Sequence, residues 1–417
     1  MSNTVSYIIP YFRDLIKLYP TWDQLRTFLI SDEGGCLQIT KQTNELVIIH
    51  YNKSISKMEM EHVRWFRSVV WNTVLNRPLS VAPPKAMKED PSQWVMKDAA
   101  NKYHFEEYLE GVNMNIFTTA HEEGRPIHIA TRTRIGASSG FYSSRSFTEL
   151  LVDAMASKGV GTSLEALRIA LGPEAETAGS GAPIAQFASL LLQHPEHRVV
   201  QHITSPNVYR MHYGYIATDG TVMICEDKND IPLYTPPTDD AITSLNDWFM
   251  QIAGTKSWDW QGLIIKDDKG HRWRIRSILY RMIRTLRGAT NRTDERFFSL
   301  RAQNMIDAYL VYYPEDRAAF EQYEKWVREF TGTLFDLYCK VHKEHTTKMV
   351  AIDKRYHVHL TALQTAYMNQ TVPEGGKRRP LKKTDVVQYV NTVPTPRLLF
   401  VMNYDKRQRQ TDMDVEC

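Results

Sequence analysis

A chain of 417 residues, 42% of them hydrophobic, is long enough for two packed domains of ordinary size. No apolar run approaches the ~18–20 residues that span a bilayer, and MSNTVSYIIPYFRDLIK lacks the regions of a secretory signal, so a membrane or secreted protein is not expected. The net charge of +3 does not itself suggest nucleic acid, and Cys36, Cys225, Cys339 and Cys417 show no CxxC spacing, which points to free thiols in a reducing, cytoplasmic setting.

In chain order, residues 1–35 read as helix, because Leu15, Leu18, Trp22, Leu25, Phe28 and Leu29 fall near helical spacing. The runs CLQIT and ELVIIHY, separated by the turn-like KQTN, predict a hairpin. From about Trp65 to Ile224 short β runs dominate: FRSVVW, PLSVA, MNIFTTA, IHIATRT, HRVVQHI and TVMICE. One helical insertion, Ser146–Leu171, interrupts them and leads into AETAGSGAP, whose small residues predict a mobile loop. After PLYTPP come a helix around Ala241–Ile252 and a strand pair, GLIIKD and HRWRIRS, turned at DDKG. From Leu279 onward the pattern is helical. Pro314-Glu315-Asp316 opens a helix on which Phe320, Tyr323, Trp326, Val327, Phe330, Leu334, Leu337, Tyr338 and Val341 trace an apolar face. The expected fold class is α+β. Antiparallel sheets with flanking helices fill 1–288 (with 1–60 as helix and hairpin), an all-helical domain fills 289–404, and 405–417 form a disordered tail.

Certain segments carry candidate chemistry. In HRWRIRS, strand alternation puts Arg272, Arg274 and Arg276 on one face and Trp273 and Ile275 on the other. Such a face is either solvated or lies against phosphate, and Arg281, Arg284, Arg287, Arg292 and Arg296 continue the charge. IHIATRTRIG places Arg132 and Arg134 on a second such face. The GASSG that follows either makes a plain turn or offers N–H groups to an anion. In VAPPKA two prolines stiffen the approach to Lys85. EEYLEGVNMNIF gathers Glu106, Glu107 and Glu110 before Gly111, as exposed acids at a strand entry or as groups for acid–base or metal work. His194 and His197, like His357 and His359, lack further ligands at metal-binding spacing. GVGTS has no P-loop lysine. GGKRRPLKK is a basic loop, solvated or touching RNA phosphates.

Taken in order from about Phe66 to Tyr280, these segments resemble the single-strand RNA ligases of T-even bacteriophages and the related ligase-like proteins of large DNA viruses. Those ligases belong to the covalent nucleotidyltransferase superfamily, with DNA ligases and capping enzymes. The resemblance implies an ATP-dependent, cytoplasmic RNA-end or RNA-repair activity, with nucleotide and RNA as partners. It implies a phosphate-contacting Arg67 from FRSVVW and Lys85 from VAPPKA, and it sets Glu110 and Gly111 at the end of the K-x-D-G nucleophile motif. It also implies a basic residue at Arg132 or Arg134, and Arg274 and Arg276 in place of the K-x-K lysines. The chain departs from the pattern at the nucleophile, where Tyr108 stands for lysine, and at the carboxylates that hold Mg²⁺, where Leu191 and Gln261 stand for glutamates. The implied readings are a ligase in which Lys85 serves as nucleophile, a nucleotide- or RNA-binding module without an adduct, and a virion-associated descendant that kept only the fold. Tyr108 as nucleophile would need its phenol strongly activated.

Overall fold

The computed structural model describes residues 4–95, 99, 102–173, 183–227, 231–237, 244–371 and 376–408. Most of AETAGSGAP, the start of the helix expected from Ala241, and 409–417 lie outside the described residues. The chain divides into two compact units, Met1–Arg281 and Met282–Cys417. The first is mixed α and β with almost wholly antiparallel sheets, and the second is helical.

In chain order the strands are β1 Thr4–Ile9, β2 Gln38–Lys41, β3 Leu46–His50, β4 Val69–Asn72 and β5 Arg77–Val81. They continue with β6 Met87–Lys88, β7 His104–Glu107, β8 Val112–Thr119, β9 His128–Ala130 and β10 Ala185–Gln193. Last come β11 Asn207–Ile216, β12 Val222–Asp227, β13 Leu233–Tyr234, β14 Gly262–Lys266 and β15 Arg272–Arg276. A six-stranded sheet runs β1-β12-β11-β10-β8-β9, a five-stranded sheet β13-β7-β14-β15-β6, and a four-stranded sheet β2-β3-β4-β5. β6 alone pairs in parallel, with β15.

Alternation along these strands builds the cores. From β8, Met114 and Ile116 enter the cluster under the helix Phe147–Ser157, whereas Phe117 enters the cluster shared with the four-stranded sheet. β10 likewise sends Phe187 to one side and Ala188, Leu190 and Leu192 to the other, with a register shift at Ser189/Leu190 where its alternation breaks. The five-stranded sheet packs Phe105, Leu263, Ile265 and Ile275 against Trp248 and Phe249 of the helix Leu245–Thr255.

The N-terminus departs from the helical expectation. Thr4–Ile9 is an edge strand paired with β12, from Thr4↔Asp227 to Ile9↔Val222, before helices begin at Pro10 and Trp22. Pairing to a strand more than two hundred residues away overrides the local signal, which only starts at Leu15. The start of the expected tail is ordered: 404–408 are helical, and Arg355 bonds the Asp405 carboxylate at 3.0 Å.

In the second unit, the helix Arg317–Tyr338 buries Phe320, Val327, Phe330, Leu334 and Tyr338 along the expected face, preceded by the short turn Pro314–Asp316. Among the described residues no helix is long and apolar enough to cross a membrane.

Candidate polyphosphate-binding site

Two loops and two strand ends bring cations together on the first unit. Arg67 follows the short helix Glu61–Trp65, and Tyr51, just past β3, donates its N–H to Phe66 O at 2.8 Å. Arg132 follows β9. A buried polar chain pins both loops. Ser189 Oγ donates to Asn115 Oδ1 at 2.7 Å, Asn115 Nδ2 to Ser68 Oγ at 3.3 Å, and Ser68 Oγ to Thr131 O at 3.2 Å. Ser68 and Thr131 are the chain neighbours of Arg67 and Arg132, so a core network sets where those guanidiniums start. Nothing in the sequence pattern marked Asn115 or Ser189; a polar residue inside an apolar strand run was the only signal.

Tyr51 is the shared wall. Its ring lies under the Arg132 guanidinium at 4.7 Å and the Lys85 ammonium at 5.4 Å, and its carbonyl accepts from Arg132 Nη2 at 2.7 Å. Lys85 is held by its N–H to Arg64 O at 3.0 Å, directly after the two prolines. Burial lowers its pKa, and Arg274, Arg132 and Arg64 lower it further. Arg67 is also lowered, by burial first and then by Arg272 and Arg132.

Tyr108 forms the floor. Its N–H reaches Gly262 O at 2.9 Å, extending the β7–β14 pairing, and its phenol oxygen accepts from Arg276 Nη2 at 3.0 Å. The Arg276 guanidinium also lies 5.2 Å from the Tyr108 ring centre. Burial raises the phenol's pKa, but Arg276, Arg274 and Arg67 outweigh it and hold it below its ordinary value. Among the described residues, no carboxylate forms an ion pair with Arg67, Lys85, Arg132, Arg274 or Arg276, and the buried Nε atoms of Arg272 and Arg276 lack hydrogen-bond partners. Like charges this close, most of them partly desolvated, make the cluster a candidate anion site.

Other expected site residues do not join this group. Arg134 does not share a strand face with Arg132: β9 ends at Ala130, and Thr131 N–H to Arg134 O at 2.8 Å closes a turn that leaves Arg134 exposed. Glu110 is engaged by other partners. Its carboxylate accepts from Val199 N at 2.9 Å, Val200 N at 2.9 Å, Gln201 N at 3.2 Å and Tyr280 Oη at 2.6 Å. An anion so fully bonded, and 6% exposed, anchors the 199–201 loop. Gly111 is required by packing, since a Cβ there would sit 2.6 Å from Leu192 O.

The acids grouped in the sequence therefore separate. Glu107 accepts from Tyr234 Oη at 3.1 Å, whereas Glu106 joins a buried cluster in which Lys266 Nζ lies 2.8 Å from it and 2.6 Å from Glu226. Tyr7 Oη donates to Glu226 Oε1 at 2.9 Å. His104, Glu106 and Glu226 could converge on an ion, but the Lys266 ammonium already sits between the two carboxylates, with the Arg272 charge nearby. Where the resemblance expects Mg²⁺-holding glutamates, Gln261 and Leu191 are buried without a charge to offer, so the residues present do not suit that metal.

The basic run after β15 is largely structural within the second unit. Arg287 donates to Tyr309 Oη at 2.9 Å, and Arg296, 3% exposed, pairs with Asp316 at 3.3 Å. Arg292 pairs with Asp294 at 2.6 Å. GASSG is a packed turn, with Gly136 N–H on Ile129 O at 2.7 Å and Ala137 in the core. His194 accepts from Glu196 N at 3.1 Å, and His359 contacts Tyr389 Oη at 2.9 Å.

No family model and no curated protein matches the chain. Among solved structures it is similar to "Archaeal ATP-dependent RNA ligase - form 1", with TM-score 0.36 and 9% identity over 76% of this chain and 74% of that one. It is also similar to "Archaeal ATP-dependent RNA ligase - form 2", with TM-score 0.33 and 9% identity over 77% of each chain.

Proposed function

We propose that this chain is a ligase-like nucleotidyltransferase that takes ATP and acts on RNA ends, with the triphosphate lying along Arg67, Lys85, Arg132, Arg274 and Arg276. The observation that carries this reading is the convergence of those side chains around Tyr51 and Tyr108 with no carboxylate to neutralise them. Its further support is the order of the sequence segments, which supply these cations from FRSVVW, VAPPKA, IATRTRIG and HRWRIRS in turn. Guanidinium groups fixed on strand ends bind the α- to γ-phosphates bidentately and stabilise the charge that builds when the α–β bridge breaks. With tyrosine in place of lysine at 108 and no acids for Mg²⁺, the arginines themselves carry the neutralisation.

A second reading, a module that binds nucleotide or 5′-phosphorylated RNA without chemistry, is favoured by one observation: Glu110 is consumed by the 199–201 loop and no carboxylate replaces it beside the cations. Calorimetric titration separates binding from its absence. ATP and a 5′-phosphorylated RNA oligonucleotide bind the full chain, and Arg274→Ala weakens ATP by about 10–100-fold, the loss of one charge-assisted contact. Unchanged ATP affinity in Arg274→Ala, or no binding in the native chain, overturns the assignment. Incubation with α-labelled ATP and a denaturing gel then tells transfer from binding alone.

A further inference from the structure

The cation cluster holds the pKa of both Lys85 and Tyr108 below their ordinary values, and the Tyr108 oxygen is the right kind of atom to form a bond to phosphorus. Tyr108 Oη sits at the hydrogen-bonding end of Arg276, 3.0 Å from Nη2, with Arg274 of the same strand and Arg67 from its loop adding their charge. The backbone fixes it: the residue is bonded to Gly262 O at 2.9 Å, and Gly262 pairs with Arg276 across β14–β15. Phenol and guanidinium are therefore set by one short stretch of sheet. Lys85 is placed differently. Its ammonium faces the Tyr51 ring at 5.4 Å and comes from a different loop, although burial, Arg274, Arg132 and Arg64 lower its pKa as well.

We propose that Tyr108 is the residue that carries the nucleotidyl group, as an O-linked phosphodiester, in the reaction assigned above. The proposal rests on that assignment and names its covalent step. The phenol proton passes to solvent. The phenolate oxygen forms a bond to the α-phosphorus of ATP while the bond from that phosphorus to the oxygen bridging to the β-phosphate breaks, and pyrophosphate leaves. In the second half an oxygen of an RNA 5′-phosphate attacks the same phosphorus and the phenolate departs. Arg276 serves both halves, since a donor that stabilises the phenolate as nucleophile stabilises it equally as leaving group. The arginines shift the phenol in the direction that a nucleophile with an ordinary pKa near 10 requires. Burial alone opposes ionisation, and the three guanidiniums reverse it.

The linkage makes the test decisive, because a tyrosyl phosphodiester survives mild acid and hydroxylamine whereas a lysyl phosphoramidate is acid-labile. The full chain is incubated with magnesium and α-labelled ATP, with GTP in parallel, then denatured. Half of each sample is held in acid before the gel, and the labelled peptide is mapped. Calorimetry of ATP binding is run on the same preparations. The expected result is acid-stable label on the peptide holding Tyr108, absent in Tyr108→Phe and reduced but still acid-stable in Lys85→Ala. Tyr108→Phe keeps the ring and should bind ATP, which separates a lost nucleophile from a lost pocket. Acid-labile label, or label that persists in Tyr108→Phe, overturns the Tyr108 proposal and leaves the nucleotidyltransferase assignment standing. ATP binding with no label under any condition overturns the covalent step in favour of the binding module. Absence of ATP binding overturns both.

Discussion

Single residues in this protein are used in ways their chemistry alone would not announce. Glu110 belongs to a sequence pattern that suggests catalysis, yet its carboxylate is saturated by three backbone N–H groups and a tyrosine hydroxyl. Removing it would strand those donors in a site closed to water. Glu110→Ala is therefore expected to destabilise the first unit by about 3 kcal/mol or more, since each buried unsatisfied donor costs ~1–3 kcal/mol. Urea unfolding measures this, and a shift under about 1 kcal/mol would show that the loop 199–201 repairs itself with solvent. Tyr108 runs the other way. It departs from the expected lysine and yet sits among guanidiniums that hold its phenol below the ordinary pKa. The identity of a residue was legible at once, but its partners were not, because Val199 and Arg276 reach these sites from far along the chain.

At the scale of elements, the site depends on how β14 begins. Gly262 has φ +131°, and a Cβ on it would lie 2.0 Å from Ile275 O, inside the β14–β15 pairing. Only glycine holds that conformation without strain, and its carbonyl is the one that fixes Tyr108. Gly262→Ala is expected to cost about 1–3 kcal/mol of stability and to weaken ATP binding as Tyr108 and Arg276 separate. A variant that loses stability while keeping full ATP affinity would show that β14 does not set the site. The arginine stripe of β15 was readable from alternation, as was the apolar face of the helix Arg317–Tyr338. The turn at Arg132–Arg134 was not, because IATRTRIG reads as one strand and only the Thr131–Arg134 bond ends it at Ala130.

Across the whole first unit, a buried charged network joins the sheets: Glu226 of β12, Glu106 of β7 and Lys266 of β14, with Tyr7 of β1 and His212 of β11 beside them. Burial alone would raise the Glu226 carboxyl, but Lys266 overrides it and brings the pKa down to about 2. Burial lowers His212 to about 4, and its Nε2 lies 2.9 Å from Val81 O. Both folded pKa values lie below their unfolded ones, so the unfolded chain binds more protons in acid. The His212 contribution is complete above pH 6.5 and is lost as pH falls toward 4, and the Glu226 contribution is lost from 4.5 toward 2. His212→Gln, which keeps a donor for Val81, is expected to flatten the decline between pH 6.5 and 4 by up to about 3 kcal/mol. His50, His342 and His359 are depressed as well and retain a residual slope. An identical pH profile of unfolding midpoints in the variant would show that His212 is not the group responsible.

The sequence by itself determined the alternation of short strands before the helices, the basic character of the segments around Arg67, Lys85, Arg132 and Arg274, and the absence of lysine at position 108, because periodicity and residue identity are local properties. Tertiary structure alone decided that Thr4–Ile9 is a strand, that Glu110 and Lys266 are internal staples, that Arg134 turns away, and that Tyr108 lies among guanidiniums. Each of these outcomes is set by a partner distant in the chain, and the energy of a buried charge depends on that partner more than on the residue itself.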